Sequence, residues 1–158
     1  MERIVKELIK LNKTISTMES CTGGAIASAI TNIPDASHVI KFSAVTYSNE
    51  FKIKMGVSSE LIDKYSVYSM EVASCMAKVI SEYTNSNYGV GVTGKLKKID
   101  ENNLYGDDDL VYLSIYDKEN NKYYNEKIKL LFDTRIDNKN QIINVFIEKM
   151  LEIIEKNS

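Results

Sequence analysis

The sequence predicts an α/β domain, a three-layer α/β/α sandwich built on a mixed, mostly parallel sheet. Two observations lead there. Through the first two thirds of the chain, segments with helical spacing alternate with short β-prone runs, the pattern of parallel strands joined by crossover helices. Beyond residue 109, two alternating runs flank Lys118-Glu119-Asn120-Asn121, a hairpin signature that adds antiparallel strands, and an amphipathic helix closes the chain. A length of 158 residues fits one domain spanning 1–158, and 44% apolar residues are enough for a sizeable core.

Residues 2–12 place Ile4, Val5, Leu8 and Leu11 on one helical stripe that Asn12 and Lys13 end. Thr14 to Met18 reads as the first strand. Ala25 to Thr31 follows as a helix of small residues able to lie close against a sheet, stopped by Asn32 and the single proline, Pro34. Val39 to Tyr47 reads as the second strand, and Ser48-Asn49 as the cap of a short helix carrying Lys52 in its first turn. After Gly56, Ser58-Ser59 starts another short helix. A longer one runs from about Ser69 to Tyr83 with Val72, Met76, Val79, Ile80 and Tyr83 as its stripe, so Met76 is core. Tyr88 to Gly94 alternates apolar residues with glycine, as a buried strand does when something packs tightly on its glycine face. Lys95 to Asp109 is a charged, irregular segment. Leu110 to Tyr116 and Tyr123 to Phe132 are the antiparallel pair. The last helix spans about Asp137 to Glu155 and buries Ile143, Phe146, Ile147, Met150, Leu151 and Ile154.

Composition narrows the function. A formal charge of −2 gives no basic face for phosphate backbones, which argues against a nucleic-acid partner. No apolar run reaches the ~20 residues that span a bilayer, and charges interrupt the N-terminal segment, so neither membrane insertion nor export is expected. Cys21 and Cys75 are too few for a disulfide framework and lack metal-ligand spacing with His38, so they read as reduced thiols of a cytoplasmic protein with no metal. The acidic run Asp107 to Asp109 lacks the spaced ligands of a calcium loop and reads as solvated.

The stretch that carries chemistry is Thr17-Met18-Glu19-Ser20-Cys21-Thr22-Gly23-Gly24. It sets Ser20 at a strand-to-helix turn, which projects the hydroxyl outward and points the free N–H groups of the following helix toward whatever it attacks. That suits a nucleophile beside an oxyanion site. Glycines at 23 and 24 let backbone approach a ligand. Ligand sites of such sheets gather at the carboxyl ends of parallel strands, so Ser20, Tyr47 and Thr93-Gly94 belong to one crevice. His38 precedes a strand and reads as structural, leaving Lys52 as the base for Ser20. A helix start and burial would both disfavour its ammonium form. Tyr47 could relay a proton or orient either group.

The run ending in Gly24, then Val45-Thr46-Tyr47-Ser48-Asn49-Glu50-Phe51-Lys52, then Met55-Gly56-Val57, closely resembles the CinA C-terminal-domain family, which includes the nicotinamide-nucleotide amidases. The resemblance implies hydrolysis of the carboxamide of nicotinamide mononucleotide to nicotinate mononucleotide and ammonia, without a metal or other cofactor. It makes Ser20 the nucleophile, with Tyr47 and Lys52 completing the catalytic group. It places substrate contacts on Glu19, Cys21, Thr22, Gly23, Gly24 and Asn49, and on Thr93 and Gly94. Arg135 and Lys139 match basic residues four apart that could face a nucleotide phosphate. A pyridine nucleotide is thus the implied ligand and a homo-oligomer the implied assembly.

The match is not uniform. Where the family has a TGIAGP-type loop and a KPVG-type approach to the next strand, this chain has Thr93-Gly94-Lys95-Leu96-Lys97-Lys98 and Gly106-Asp107-Asp108-Asp109. The family's GAVS before the long helix survives only as Ser69. Two readings follow: an amidase with a rebuilt pocket wall, or a non-catalytic nucleotide-binding or oligomeric partner protein of the same fold. Lys95, Lys97 and Lys98 offer further charges for phosphate, which Asp107 to Asp109 would oppose.

Overall fold

In the computed structural model, which describes residues 1–97, 101–102 and 106–158, five strands form one sheet: β1 (Ile15–Glu19), β2 (Ser43–Val45), β3 (Tyr88–Gly94), β4 (Leu110–Asp117) and β5 (Lys122–Lys129). They lie in the order β2-β1-β3-β4-β5. β1 is parallel to β2 and β3, whereas β4 is antiparallel to β3 and β5. Four strands therefore share one direction and β4 opposes them, which is the mixed, mostly parallel sheet expected.

Six α-helices cover it: α1 (Glu2–Lys10), α2 (Ala25–Thr31), α3 (Asn49–Lys54), α4 (Ser59–Tyr65), α5 (Met70–Thr84) and α6 (Arg135–Lys156). On one face, Leu8 of α1, Ile26 and Ile30 of α2, and Phe146 and Met150 of α6 join Ile15, Val90 and Leu113 in the larger core. On the other, Val72, Met76 and Ile80 of α5, with Leu61 and Ile62 of α4, close over Met18. The glycine alternation of β3 explains why α5 lies so close. A Cβ at Gly89 would stand 2.0 Å from the Ala77 carbonyl oxygen, and one at Gly91 2.1 Å from that of Ala73.

Three elements differ from the expectation. The second strand is only Ser43–Val45: Asp35 takes φ +66° after Pro34, the chain enters a 3-10 turn at Ala36–His38, and Val39 and Ile40 fill the core without joining the strand. The stripe of α5 is rotated. Ala73, Ala77 and Ser81 are buried with Val72, Met76 and Ile80, while Tyr83 is exposed, because contact with a glycine face selects small residues. In α6, which Thr134 caps by accepting from Asp137 N at 3.2 Å, Ile142 and Ile153 are buried and Ile143, Ile147 and Leu151 only flank the core.

Candidate active site

Ser20 follows the last residue of β1 and is held there by main-chain bonds: its amide donates to Val92 O at 3.1 Å, and its carbonyl accepts from Gly23 N at 2.9 Å. The turn then passes through Gly23 (φ +61°) and Gly24 (φ +94°), left-handed conformations that glycine adopts without strain. A Cβ on Gly24 would also stand 3.3 Å from Val45 Cγ2. The turn is closed by Glu19, whose fully buried carboxylate accepts from the Ile26 and Ala27 amides, both at 2.9 Å. The first-turn N–H groups of α2 are therefore taken, Ile26 and Ala27 by Glu19 and Ala25 by Thr22 O at 3.1 Å, contrary to the expectation that they face a reacting group. Among the described residues, no acceptor of another residue takes the amides of Cys21 or Thr22.

Lys52 arrives from α3, which Ser48 caps by accepting from Phe51 N at 3.2 Å. Phe51 and Ile53 are exposed, and the one buried residue of this helix is the lysine itself, 1% exposed. Its Nζ donates to Ser20 Oγ at 3.0 Å and to Thr46 O at 2.7 Å. Lys52 is the fourth of six helical residues and lies in the last turn. Burial, and not a helix start, is what surrounds its amine.

Ser20 and Lys52 open into a cavity of about 690 Å³, lined among the described residues also by Cys21, Tyr47, Ser48, Asn49, Val67, Tyr68, Gly94, Lys95, Glu101, Asn102 and Arg135. Tyr47 is 64% exposed at its mouth, and its hydroxyl accepts from Arg135 Nη2 at 3.4 Å, so it is joined to Arg135 and not to Ser20 or Lys52. Arg135 opens α6, and Lys139, one turn on, puts Nζ 3.5 Å from where a Cβ of Gly23 would be. The crevice thus gathers Ser20, Cys21, Tyr47, Asn49, Lys52, Gly94 and Arg135, with Gly23 and Lys139 beside it.

Other expected contacts lie elsewhere. Glu19 is enclosed behind the turn, and Thr22, 1% exposed, donates its hydroxyl to Glu19 Oε1 at 2.7 Å. Thr93 is fully buried and donates to Val67 O at 3.0 Å, because its place in β3 turns it to the α5 face while Gly94 reaches the cavity. The Cys21 thiol faces the cavity but is pushed up to about 12 by burial and by the negative charge of Glu19, against weaker pulls from Lys52 and Arg135. It is a wall and not a nucleophile.

The two described lysines of the rebuilt loop are both engaged by protein atoms, Lys95 buried and Lys97 exposed. Lys95 donates to Gly106 O at 3.0 Å, lies 3.3 Å from Asp108 Oδ1 and sits over the Tyr68 ring. Lys97 Nζ donates to Phe132 O at 2.6 Å. Lys98 lies outside the described residues. Asp109 is 3.8 Å from Lys129. Among the described residues no group of three or more His, Cys, Asp or Glu could hold a metal, and no helix is long and apolar enough to cross a membrane. His38 is exposed, with Nδ1 3.1 Å from Asp35 O. Sequence reasoning missed Val67 and Tyr68 as cavity residues. Their position just before the Ser69 cap of α5, in a loop at the strand ends, was the available signal.

A buried lysine hydrogen-bonded to a serine at the end of a parallel strand, facing a cavity, is the centre of the site in this α/β domain. The chain belongs to the CinA C-terminal domain family, whose model matches residues 1–156. It is 45% identical over 94 residues to a putative competence-damage inducible protein of Clostridium botulinum, covering 59% of this chain and 23% of that protein. A counterpart in Clostridium kluyveri is 42% identical over 120 residues, 75% of this chain and 29% of that protein. The chain thus spans about a quarter of the length of these curated relatives. Among solved structures, a competence/damage inducible protein from Agrobacterium tumefaciens superposes with a TM-score of 0.84 at 27% identity, covering 99% of this chain and 92% of that one. A competence-damaged protein (CinA) superfamily protein from Escherichia coli gives 0.87 at 23% identity, covering 96% and 87%, a likeness of fold.

Proposed function

We propose that this domain is a serine–lysine amidohydrolase that deamidates nicotinamide mononucleotide to nicotinate mononucleotide. The observation that carries this reading is the 3.0 Å contact between Lys52 Nζ and Ser20 Oγ at the base of a ligand-sized cavity. In the neutral form, Lys52 accepts the hydroxyl proton as Oγ adds to the carboxamide carbon, and the Cys21 and Thr22 amides are the donors nearest in sequence to the developing oxyanion. The lysine then returns the proton to the departing nitrogen. Ammonia leaves an acyl ester on Ser20, and a water deprotonated by Lys52 hydrolyses it. Thr46 O aims the amine throughout. Arg135 and Lys139 lie where a phosphate on the same ligand would find charge-assisted donors.

One observation favours a second reading, a binding protein without turnover. Lys95, on the cavity wall, is already engaged by Gly106 O and Asp108, so that wall presents less free positive charge than its sequence suggests. Ammonia release from nicotinamide mononucleotide, measured on the wild type and on Ser20→Ala, decides. An amidase loses several orders of magnitude of turnover in Ser20→Ala with ligand affinity nearly retained. A silent wild type, with Ser20→Ala altering only affinity, makes Ser20 a binding residue.

A further inference from the structure

The geometry points to Glu19 as the positioning residue of the site, acting through Ser20 and Lys52 without touching a ligand. This rests on the reading of Ser20 as a nucleophile. The Glu19 side chain is fully buried, and its oxygens collect donors from across the turn that carries Ser20. Oε1 accepts from the Thr22 hydroxyl at 2.7 Å and the Ile26 amide at 2.9 Å; Oε2 accepts from the Ala27 amide at 2.9 Å and the Thr17 hydroxyl at 3.0 Å. One hydroxyl comes from the strand before Ser20, the other from the turn after it, and the amides from the helix beyond. The carboxylate therefore clamps the strand, turn and helix that flank the nucleophile.

A mere helix cap needs none of this reach. The N-cap position of α2 is Gly24, at φ +94° with no side chain to cap it, so Glu19 serves those amides, but its two hydroxyl donors, Thr17 and Thr22, lie outside the helix. The main chain of Glu19 adds a second link: its carbonyl accepts from Thr46 N at 2.9 Å, and the carbonyl of Thr46 is what receives Lys52 Nζ at 2.7 Å. One residue thus fixes the serine through its side chain and the lysine through its backbone. Loosening it moves Oγ relative to Nζ while leaving the cavity walls at Arg135, Asn49 and Gly94 in place, so the effect falls on kcat and not on KM.

The test follows Ser20 itself. Phenylmethanesulfonyl fluoride sulfonylates an activated serine, Oγ displacing fluoride, and the rate is read from intact mass with Ser20→Ala as the blank; ammonia release from nicotinamide mononucleotide is measured alongside. Glu19→Gln keeps the shape but sets an NH₂ group against an amide donor. It should slow both sulfonylation and kcat by about 30-fold or more, as sub-ångström to 1 Å misplacement does, with KM within about twofold. Thr22→Val removes one donor and leaves the carboxylate, and should slow both roughly three- to tenfold, one hydrogen bond's worth. Wild-type sulfonylation rates in a Glu19→Gln protein that merely melts earlier would make Glu19 a structural cap and overturn the proposal. Should Glu19→Gln fail to fold, Thr22→Val decides by the same criterion. A wild type that is sulfonylated but releases no ammonia overturns the amidase reading and leaves Glu19 to be judged on the sulfonylation rates. A wild type inert in both assays overturns both.

Discussion

Replacing Lys52 separates its chemistry from its place in the fold. Lys52→Met has nearly the same length and volume at a position 1% exposed, and it removes the hydrogen bonds that Nζ donates to Ser20 Oγ and Thr46 O. Stranding those two acceptors costs about 1–3 kcal/mol each where water cannot reach. Relief from burying the polar head is of the same order, so the net change in stability should stay within about 2 kcal/mol. The rate has no such offset. A positioned general base contributes about 10²–10⁴ in rate, which is roughly 3–5 kcal/mol of barrier. Lys52→Arg is the sharper variant, since a guanidinium retains its charge and cannot accept the Ser20 proton. Ammonia release should fall at least about a hundredfold in both variants. In the wild type kcat should rise with pH as the neutral amine grows, and neither variant should retain that rise. Turnover by Lys52→Arg close to the wild-type rate, with the same pH profile, would refute the assignment of the base.

Three further outcomes test the thiol and the packing. Burial raises the Cys21 thiol from its ordinary 9.0 to about 12, so native protein at pH 8 should be alkylated by iodoacetamide at the half-buried Cys75 and at Cys21 only after unfolding, as read by peptide mass; prompt labelling of native Cys21 would contradict this. Because the folded thiol holds its proton more tightly than the unfolded one, its contribution to stability is full below pH 9 and is lost as pH climbs toward 12, which urea melts of wild type and Cys21→Ala can follow. Gly91→Ala would place a Cβ 2.1 Å from Ala73 O and 2.7 Å from Ala77 N, backbone atoms that yield only if α5 retreats. A loss of about 3 kcal/mol or more is expected in urea unfolding, and near-wild-type stability would mean that α5 is not seated on β3 as described.

The layers of this fold were legible because each rests on a local rule. Glycine alternation in β3 foretold a close neighbour on that face, which is the backbone of α5, and the serines read as helix starts, Ser48, Ser58 and Ser69, each cap the helix that follows. The rotated stripe of α5 was not legible, because large apolar residues dominate a periodicity reading, whereas a glycine face selects Ala73, Ala77 and Ser81. The pairing of Ser20 with Lys52 could be reasoned from strand ends and the scarcity of other bases. The roles of Glu19 and Thr93 could not, since whether a polar residue near a site faces the ligand or the fold depends on the pleat: Glu19 and Thr93 point to opposite faces of the sheet, and both point away from the cavity.

The two sides of the cavity are also fastened to different parts of the molecule. Ser20 and Lys52 are bonded into the sheet, through Ser20 N to Val92 O, Thr46 N to Glu19 O and Lys52 Nζ to Thr46 O. Among the described residues, the wall that begins at Gly94 is bonded to itself and to the approach to α6, through Lys95 to Gly106 O, Lys97 N to Asp108 O and Lys97 Nζ to Phe132 O. No hydrogen bond among the described residues links Lys95 or Lys97 to Ser20 or Lys52. The segment that departs from the family pattern contributes Lys95, Glu101 and Asn102 to the cavity wall. The hydrogen bonds that bring Ser20 Oγ to Lys52 Nζ run through Val92, Glu19 and Thr46, outside that segment.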